Sequence, residues 1–447
     1  MPLNLHAGAI SQVRQKLIAY LPEVIVENQM FIQRRSALSI ITADFSLPRT
    51  EKLHDSLVEY IDEFPFLEFI LNTLGKELWE LDRWELDANP KINELAEFAD
   101  LEAVGTRLVN DFNSLPWTYL ITVPLPEVLT SILRPNSEFI EITPTIRIAR
   151  VTEAFKKEFP LATANKVRDR RIKGSPFGLF AMMMEETPAE WNAATLHLQI
   201  KLDGFVDMYG TTGTALQAER NVRSILGMGI ANRLLDCDLR YTPNPVKAHA
   251  YVHQQQADGS WAAQTRYDLS DSVSRGIAGL KPCVLDFLDT DEKRNGWNYW
   301  RIKEIGTVIQ AGLAADQTVL AGQWFFDSYC GQDQLLSFIQ SMVVLEILFG
   351  DKKVSDEIGI GELISNRFAY LIGTTYEERS ELIDAIRKIY KIRSQIVHSG
   401  KHRLSLEENG LFSRLRWMCR RAIDKEIDLI KASVEAKKKA IEDRSGA

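Results

Sequence analysis

The chain has 447 residues, of which 45% are hydrophobic and 26% charged, and its formal net charge is −8 at pH 7. This length and apolar content are enough for two or three domains with large cores. The acidic balance argues against a protein that coats nucleic acid over its whole surface. No stretch approaches the roughly 18 apolar residues of a membrane span, and the first residues lack a secretory pattern.

The residues that commonly bind metals or form disulfides are scattered. Cys237, Cys283, Cys330 and Cys419 form no Cys-x2-Cys pair, which predicts reduced thiols in a cytoplasmic protein, without a zinc site. His249 and His253 would share one face of a strand, but no third ligand accompanies them. The chain also lacks the Gly-x4-Gly-Lys-Ser/Thr phosphate loop. We therefore predict no metal and no cofactor.

The first 300 residues predict a mixed α/β region in two parts. Residues 1–135 show mainly helical patterns, and residues 136–300 form a β-rich mixed region that we regard as a candidate sensor. Period-two alternation in Phe139–Ile148, Leu196–Leu202 and Val246–His253 predicts strands with one face in water. The N-terminal region would then receive a trigger, either a small ligand or a protein.

Two polar stretches interrupt these patterns. The basic segment Lys166–Lys173, which precedes a Gly/Pro-containing stretch, predicts an exposed loop that either contacts RNA or is simply solvated. The stretch Asp289–Gly296 predicts a loop and the boundary before the last domain, residues 310–447.

Residues 310–447 predict an all-α helical bundle. Apolar helical patterns cover Gln332–Gly350 and Gly361–Gly373. A third helix is opened by Thr375–Glu378, which has the form of a capping box, and it is stopped by Ser399–Gly400. A long helix follows from about Ser405. Short connections between such helices favour an antiparallel bundle.

The third helix of this bundle carries Arg393, Ser394 and His398 at its end. Arginine holds phosphate with two parallel hydrogen bonds, and histidine exchanges protons near neutral pH. Ser394 and His398 share a face; Arg393 is about 140° away, but its long side chain could reach the histidine. The spacing alone is weak evidence, since Arg49 and His54 repeat it in a charged stretch. The alternative is a helix end that simply favours cations.

Glu346 is the only charged residue between Asp333 and Asp351. A carboxylate inside a bundle is costly unless an arginine or hydrogen bonds meet it. We predict that Arg393 or Arg367 pairs with Glu346, either to orient an arginine for catalysis or as a structural pair. A carboxylate that simply reaches solvent is the remaining alternative.

The helix order, the Leu345–Glu346 pair and the later Arg393, Ser394 and His398 together resemble the HEPN superfamily, particularly its ApeA-like branch. The resemblance covers roughly residues 320–430, under a third of the chain. It implies a ribonuclease that acts as a homodimer, with the two motifs facing each other, and a role as a toxin or in antiviral defence. The position after the arginine is commonly Asn or Asp in such motifs. Ser394 departs from that pattern.

The combined prediction is an α+β multidomain protein: an N-terminal mixed α/β region followed by a C-terminal all-α, HEPN-like helical bundle. Its predicted function is metal-independent endoribonuclease activity, which leaves 2′,3′-cyclic phosphate and 5′-hydroxyl ends. The alternative is a non-catalytic dimerising scaffold that binds RNA or protein. A basic run beside the motif would form the RNA groove, unless it is only a solvated face. The predicted RNA-binding residues are Lys401, Arg403, Arg414 and Arg416.

Overall fold

The computed structural model describes residue 3 and residues 5–48, 51–81, 83, 85, 87–161, 190–238, 247–351 and 359–445. The basic segment Lys166–Lys173 lies outside the described residues. Within the described ranges, no helix is both long enough and apolar enough to cross a membrane.

The described helices and strands alternate irregularly along the chain. The helices are α1 Ala7–Tyr20, α2 Ile41–Asp44, α3 Glu51–Tyr60, α4 Pro65–Leu81, α5 Leu101–Asn113, α6 Glu153–Glu158, α7 Gly213–Ala231, α8 Asp271–Ala278, α9 Asp291–Gln310, α10 Asp316–Cys330, α11 Gln334–Phe349, α12 Ile360–Ile372, α13 Tyr376–His398 and α14 Leu406–Ser445. The strands are β1 Val26–Glu27, β2 Phe31–Ile32, β3 Trp117–Pro124, β4 Phe139–Thr143, β5 Ile146–Arg150, β6 Leu196–Gly204, β7 Leu235–Cys237, β8 His249–Gln255, β9 Trp261–Asp268 and β10 Leu280–Pro282.

Six strands form an antiparallel sheet in the order β4-β5-β6-β3-β8-β9. The predicted alternating segments lie in β4–β5, β6 and β8, and this sheet with the C-terminal helices confirms the α+β class. Strand β3, at the centre, lies in the part that was predicted to be mainly helical. Its Ile121 is opposite Ile200 of β6 and Val252 of β8. The β-branched and aromatic residues of this segment were the available signal.

The prediction that these strands keep one face in water is wrong for β6. His197 and Gln199 point away from the main core, yet they are only 1% and 0% exposed. The reason is a separate aromatic layer, in which Phe155 of α6 and Trp191 pack edge-on or tilted against the His197 ring. Gln199 accepts a hydrogen bond from Arg147 Nε at 2.7 Å. The alternation of apolar and polar residues along β6 therefore distinguishes the two faces of this strand, but both faces are buried.

This aromatic layer should make the sheet sensitive to acid. Burial lowers the pKa of His197 from 6.5 to about 4. Between pH 6.5 and about 4, His197 is protonated in the unfolded chain but not in the folded chain. The free energy of unfolding therefore falls as the pH drops through this window, by about 3 kcal/mol in total. Burial also lowers the pKa of His253.

We expect His197→Gln to reduce the loss of Tm between pH 7 and pH 4.5, without abolishing it. His54→Gln, at an exposed position, should leave the loss unchanged, and an unaltered pH profile for His197→Gln would contradict the assignment.

The bundle and the sheet share one hydrophobic core, which runs from Tyr119 to Ile430, while a second core joins the N-terminal helices. Helices α7 and α10 cross where Gly227 meets Gly322, since a Cβ on Gly227 would lie 1.8 Å from the Gly322 carbonyl oxygen.

The predicted loop at residues 289–296 is wrong: α9 begins at Asp291, and the Thr290 side chain caps it by accepting from the Lys293 amide. Capping by Thr290 makes a polar stretch helical.

Candidate functional site

Helix α13 is built as the sequence predicts and places the motif at its exposed end. Its N-terminus has the capping box, in which the Glu378 amide donates to Thr375 Oγ1 at 3.2 Å. A single apolar face is buried in the bundle, and the last buried residue is Ile392. The helix ends at His398, before Gly400 with φ +63°. Beyond Ile392 the helix is only partly covered: Ile396 still packs against the core, whereas Ser394, Val397 and His398 are exposed.

Arg393 meets the buried carboxylate of α11. Its Nε lies 3.7 Å from Glu346 Oε1, with side chains 27% and 21% exposed. This distance suits an ion pair but is too long for a hydrogen bond. The other candidate, Arg367, donates instead to the Phe349 carbonyl at 2.9 Å and lies 3.7 Å from Asp351. Of the two predicted partners, Arg393 is the one that Glu346 contacts.

The charge of Arg393 favours the ionised form of the Glu346 carboxylate. Burial raises the pKa of Glu346, and the Arg393 charge opposes that rise. Glu346 Oε1 is buried without a hydrogen-bond partner among the described residues. Tyr390, one turn before Arg393, has its ring 5.9 Å from the guanidinium carbon, and burial together with Glu346 raises its pKa. Tyr390 was not predicted as part of this site.

Ser394 and His398 lie in solvent. Both are exposed, and neither side chain makes a hydrogen bond or ion pair with the residues that the structure describes. No hydrogen bond joins His398 to Arg393 within that part of the chain. The arrangement is a half-buried, charge-paired arginine beside an exposed hydroxyl and an exposed imidazole. Such groups are accessible to a substrate, and no carboxylate of the described part of the bundle pairs with the imidazole.

Two of the four predicted RNA-binding residues are engaged within the protein. Lys401 Nζ lies 2.7 Å from Glu408 Oε1 and 3.2 Å from Gln395 Oε1. Arg416 is packed in the bundle: it donates to the Ser328 carbonyl at 2.7 Å, and its guanidinium carbon lies 4.4 Å from each of two aromatic rings, those of Tyr329 and Phe412. Burial lowers the pKa of Arg416. The Arg416 side chain is therefore occupied by contacts within the bundle.

The other Lys and Arg residues between Arg387 and Arg421 also fall into two groups, those that pair with acids and those that make no ion pair with a described residue. Three pair with acids of the bundle or the β7 strand: Arg387 with Glu362, Arg420 with Asp236 and Arg421 with Asp424. Four make no ion pair with any described residue: Lys388, Lys391, Arg403 and Arg414. The positive surface near the motif is therefore smaller than the sequence predicts, because helix packing neutralises part of the run.

The histidines that were considered as metal ligands have other partners. His249 Nδ1 lies 2.7 Å from Asp268 Oδ1, and His253 Nε2 lies 2.9 Å from the Pro160 carbonyl oxygen. Among the described residues, no three His, Cys, Asp or Glu side chains are grouped so that they could hold a metal ion.

A buried ionic cluster that the sequence did not indicate fixes α14 to α9. Arg301 Nη1 lies 2.8 Å from Glu304 Oε2 and 3.3 Å from Asp424 Oδ1, and Lys431 Nζ lies 2.5 Å from Glu304 Oε1. The Arg301 guanidinium also lies over the rings of two tryptophans, Trp297 and Trp300. Arg301 and Glu304 are neighbours on α9, but Asp424 and Lys431 lie 123 and 127 residues from their α9 partners, so no local pattern reveals these contacts. This cluster holds α14, the helix that packs beside the motif, against α9.

Comparison of the chain with protein-family models, with curated proteins and with solved structures finds no match. The geometry of α11, α13 and α14 must therefore carry the functional inference.

Proposed function

We propose that this protein is a metal-independent endoribonuclease whose active site is the exposed end of α13. The observation that carries the proposal is the pairing of half-buried Arg393 with Glu346 immediately beside the exposed Ser394 and His398. An arginine that only held the bundle together would hydrogen-bond within it, as Arg416 does with the Ser328 carbonyl oxygen. Arg393 instead keeps part of its donor edge accessible, because its contact with Glu346 is long and involves Nε.

In the proposed reaction, the ribose 2′-oxygen attacks the adjacent phosphorus and the bond from phosphorus to the 5′-oxygen breaks. His398 removes the 2′-hydroxyl proton or returns a proton to the leaving 5′-oxygen. Arg393 stabilises the negative charge that develops on the phosphorane oxygens. Ser394 hydrogen-bonds the phosphate or His398. The products are a 2′,3′-cyclic phosphate and a 5′-hydroxyl, and the nucleophile comes from the substrate.

The RNA backbone would be held by the cations that have no acidic partner among the described residues. Arg403 follows the motif in the connection to α14, and Lys388 and Lys391 precede it on α13. Arg414 lies about 12 Å along α14 from its first residue. These positions suit a short strand that crosses the end of α13, and phosphate contacts of this kind weaken as salt rises.

We further propose a homodimer in which two α13 ends face each other, as the resemblance to the HEPN superfamily implies. Val397 is 49% exposed and Leu406 is 92% exposed, and they flank His398 and Arg403 in sequence. Burial of this apolar pair against a second copy would bring two His398 side chains close together. A role as a toxin or antiviral effector, regulated by the N-terminal region, is part of the same proposal.

The direct test is incubation of purified protein with single-stranded RNA in EDTA, followed by mapping of the product ends. We expect cyclic phosphate ends and 5′-hydroxyl ends. RNA with 2′-O-methyl groups is the matched control substrate, because it keeps the phosphates and loses the nucleophile. Cleavage of that substrate at an equal rate, or linear 3′-phosphates as the first product, would refute the proposed mechanism.

The alternative function is a dimerising scaffold that binds RNA or protein without cutting it. The observation that favours it is His398, which lacks any hydrogen-bond partner among the described residues to orient its ring. RNA binding without cleavage, by a protein whose expression leaves cell growth unaffected, would favour the scaffold. Growth inhibition that is relieved by His398→Ala would favour the enzyme.

The Glu346–Arg393 pair leads to a prediction about positioning. Glu346→Gln keeps the shape of the side chain but removes the charge that holds Arg393, so we expect cleavage to slow by up to about 100-fold. RNA binding should change less, since no phosphate contacts Glu346 in the proposal. The measurement is kcat and KM for a short RNA. Glu362→Gln, which breaks the exposed pair with Arg387, is the matched control. A change confined to KM would contradict a role in orienting Arg393.

A further inference from the structure

A cavity of about 290 Å³ lies between the N-terminal helices and the loop that follows β6. Clefts between packed units are common ligand sites, and this volume is at the small end of their range. Its lining includes residues of α4 and β2 together with Met208 and Tyr209 of the loop. The cavity belongs to neither the α13 site nor the basic run.

Three aromatic side chains line this cavity. Phe31 of β2 and Trp79 of α4 have ring centroids 6.2 Å apart at an interplanar angle of 49°. Tyr209 is 60% exposed although it lies beside a buried loop anchor. That anchor is Asp207, which accepts from the Thr211 amide at 2.8 Å and from Thr211 Oγ1 at 2.6 Å. These hydrogen bonds hold the loop in place, and its Tyr209 is one of the residues that line the cavity.

Gly75 leaves open space at one side of this cavity. It lies inside helix α4, where glycine is destabilising relative to alanine, and it lines the cavity. A Cβ at this position would meet no atom within 4 Å. No contact within the described chain therefore requires glycine. What glycine provides is space on the cavity floor and a closer approach to the helix backbone.

The polar groups of the cavity favour an uncharged ligand over a phosphate. Arg34 is engaged by both carboxylate oxygens of Glu68, so its guanidinium is already neutralised. Asn72 Nδ2 donates to the Glu68 carbonyl oxygen at 2.9 Å, and Asn72 Oδ1 has no partner among the described residues. An amide side chain can both donate to and accept from the edge of a base, as asparagine does with adenine.

We propose that this cavity binds a nucleobase, as the free base or as a nucleoside, with adenine the best fit. The ring would stack on the aromatic walls formed by Phe31, Trp79 and Tyr209, lie over Gly75 and pair its edge with Asn72. This site is separate from the proposed ribonuclease site, and its existence does not depend on cleavage activity.

The test is saturation-transfer NMR on the full-length protein with adenosine, guanosine, cytidine and uridine as probes. Gly75→Leu fills the cavity floor and should weaken nucleoside binding at least about tenfold, while its Tm stays at or above that of the wild type. Gly75→Ala is the matched control, because a methyl group meets no atom there and leaves most of the space. Tyr209→Ala, at an exposed position, tests the same site without touching the helix.

Adenosine binding that is lost in both Gly75→Leu and Tyr209→Ala, with a preference over the pyrimidine nucleosides, is the expected result. The proposal would be overturned by absence of binding for all four nucleosides, or by binding that both variants retain. It would also be overturned if a tryptophan-containing peptide bound at the cavity while the nucleosides did not, since the site would then recognise a protein side chain.

Discussion

Purified His398→Ala protein should cleave RNA at least about 100-fold more slowly than the wild type, because a positioned general acid or base contributes roughly that factor or more. His398 is exposed and lies at the last residue of α13, so its removal should leave Tm and RNA affinity almost unchanged. The measurement is initial cleavage rate with matched protein concentrations in EDTA.

His402→Ala is the matched control, since His402 is also exposed and lies four residues beyond the motif. It should cleave RNA at close to the wild-type rate. Arg393→Lys keeps the charge but loses the planar, two-pronged donor, so we expect it to fall well below the wild type as well. Equal rates for the wild type and His398→Ala would refute the active-site assignment, and an equal loss in His402→Ala would point to a general effect of the surface.

Glu304→Ala should lower the free energy of unfolding by about 3–5 kcal/mol, the typical cost of removing one partner from a buried ion pair. Glu304 is 2% exposed, and its carboxylate is shared between Arg301 and Lys431. Its loss would leave two cations in the interface between α9 and α14, where Asp424 is the one other acid among the described residues that pairs with either of them. Urea denaturation followed by circular dichroism measures the effect.

Glu407→Ala, at an exposed position in the first turn of α14, is the control and should change stability by less than about 0.5 kcal/mol. A similarly small effect for Glu304→Ala would mean that water or other groups satisfy the two cations. Since α14 packs beside α13, the Glu304 variant should also lose cleavage activity in proportion to its unfolded fraction. Activity lost while the protein remains folded would instead indicate a direct link between the cluster and the active site.

Much of the bundle near the motif could be read from local pattern. The capping box at Thr375 and Glu378, the apolar stripe of α13 and its stop before Gly400 are encoded within 26 residues and appear as predicted. The lone charge of Glu346 in α11 was also sufficient to predict an arginine partner, because a buried carboxylate has few acceptable environments. The strands β4 to β6 and β8 follow in the same way from alternation.

Other features depend on which elements pack together. Arg416 and Arg403 were both predicted to bind RNA. Packing places the Arg416 guanidinium against two aromatic rings and leaves Arg403 exposed. The buried second face of β6 arises because Trp191 and α6 cover it, which alternation along a strand cannot indicate.

Local signals were enough to predict the capped amphipathic helix that ends in Arg393, Ser394 and His398, the alternating strands and the unusual Glu346. Tertiary packing was needed to show which cations remain available, that Arg393 rather than Arg367 meets Glu346, that β3 lies beside β6 in the middle of the sheet, and that a cavity opens beside Gly75. Burial and charge pairing are set by neighbours distant in sequence, whereas helix capping and hydrophobic periodicity act between residues a few positions apart.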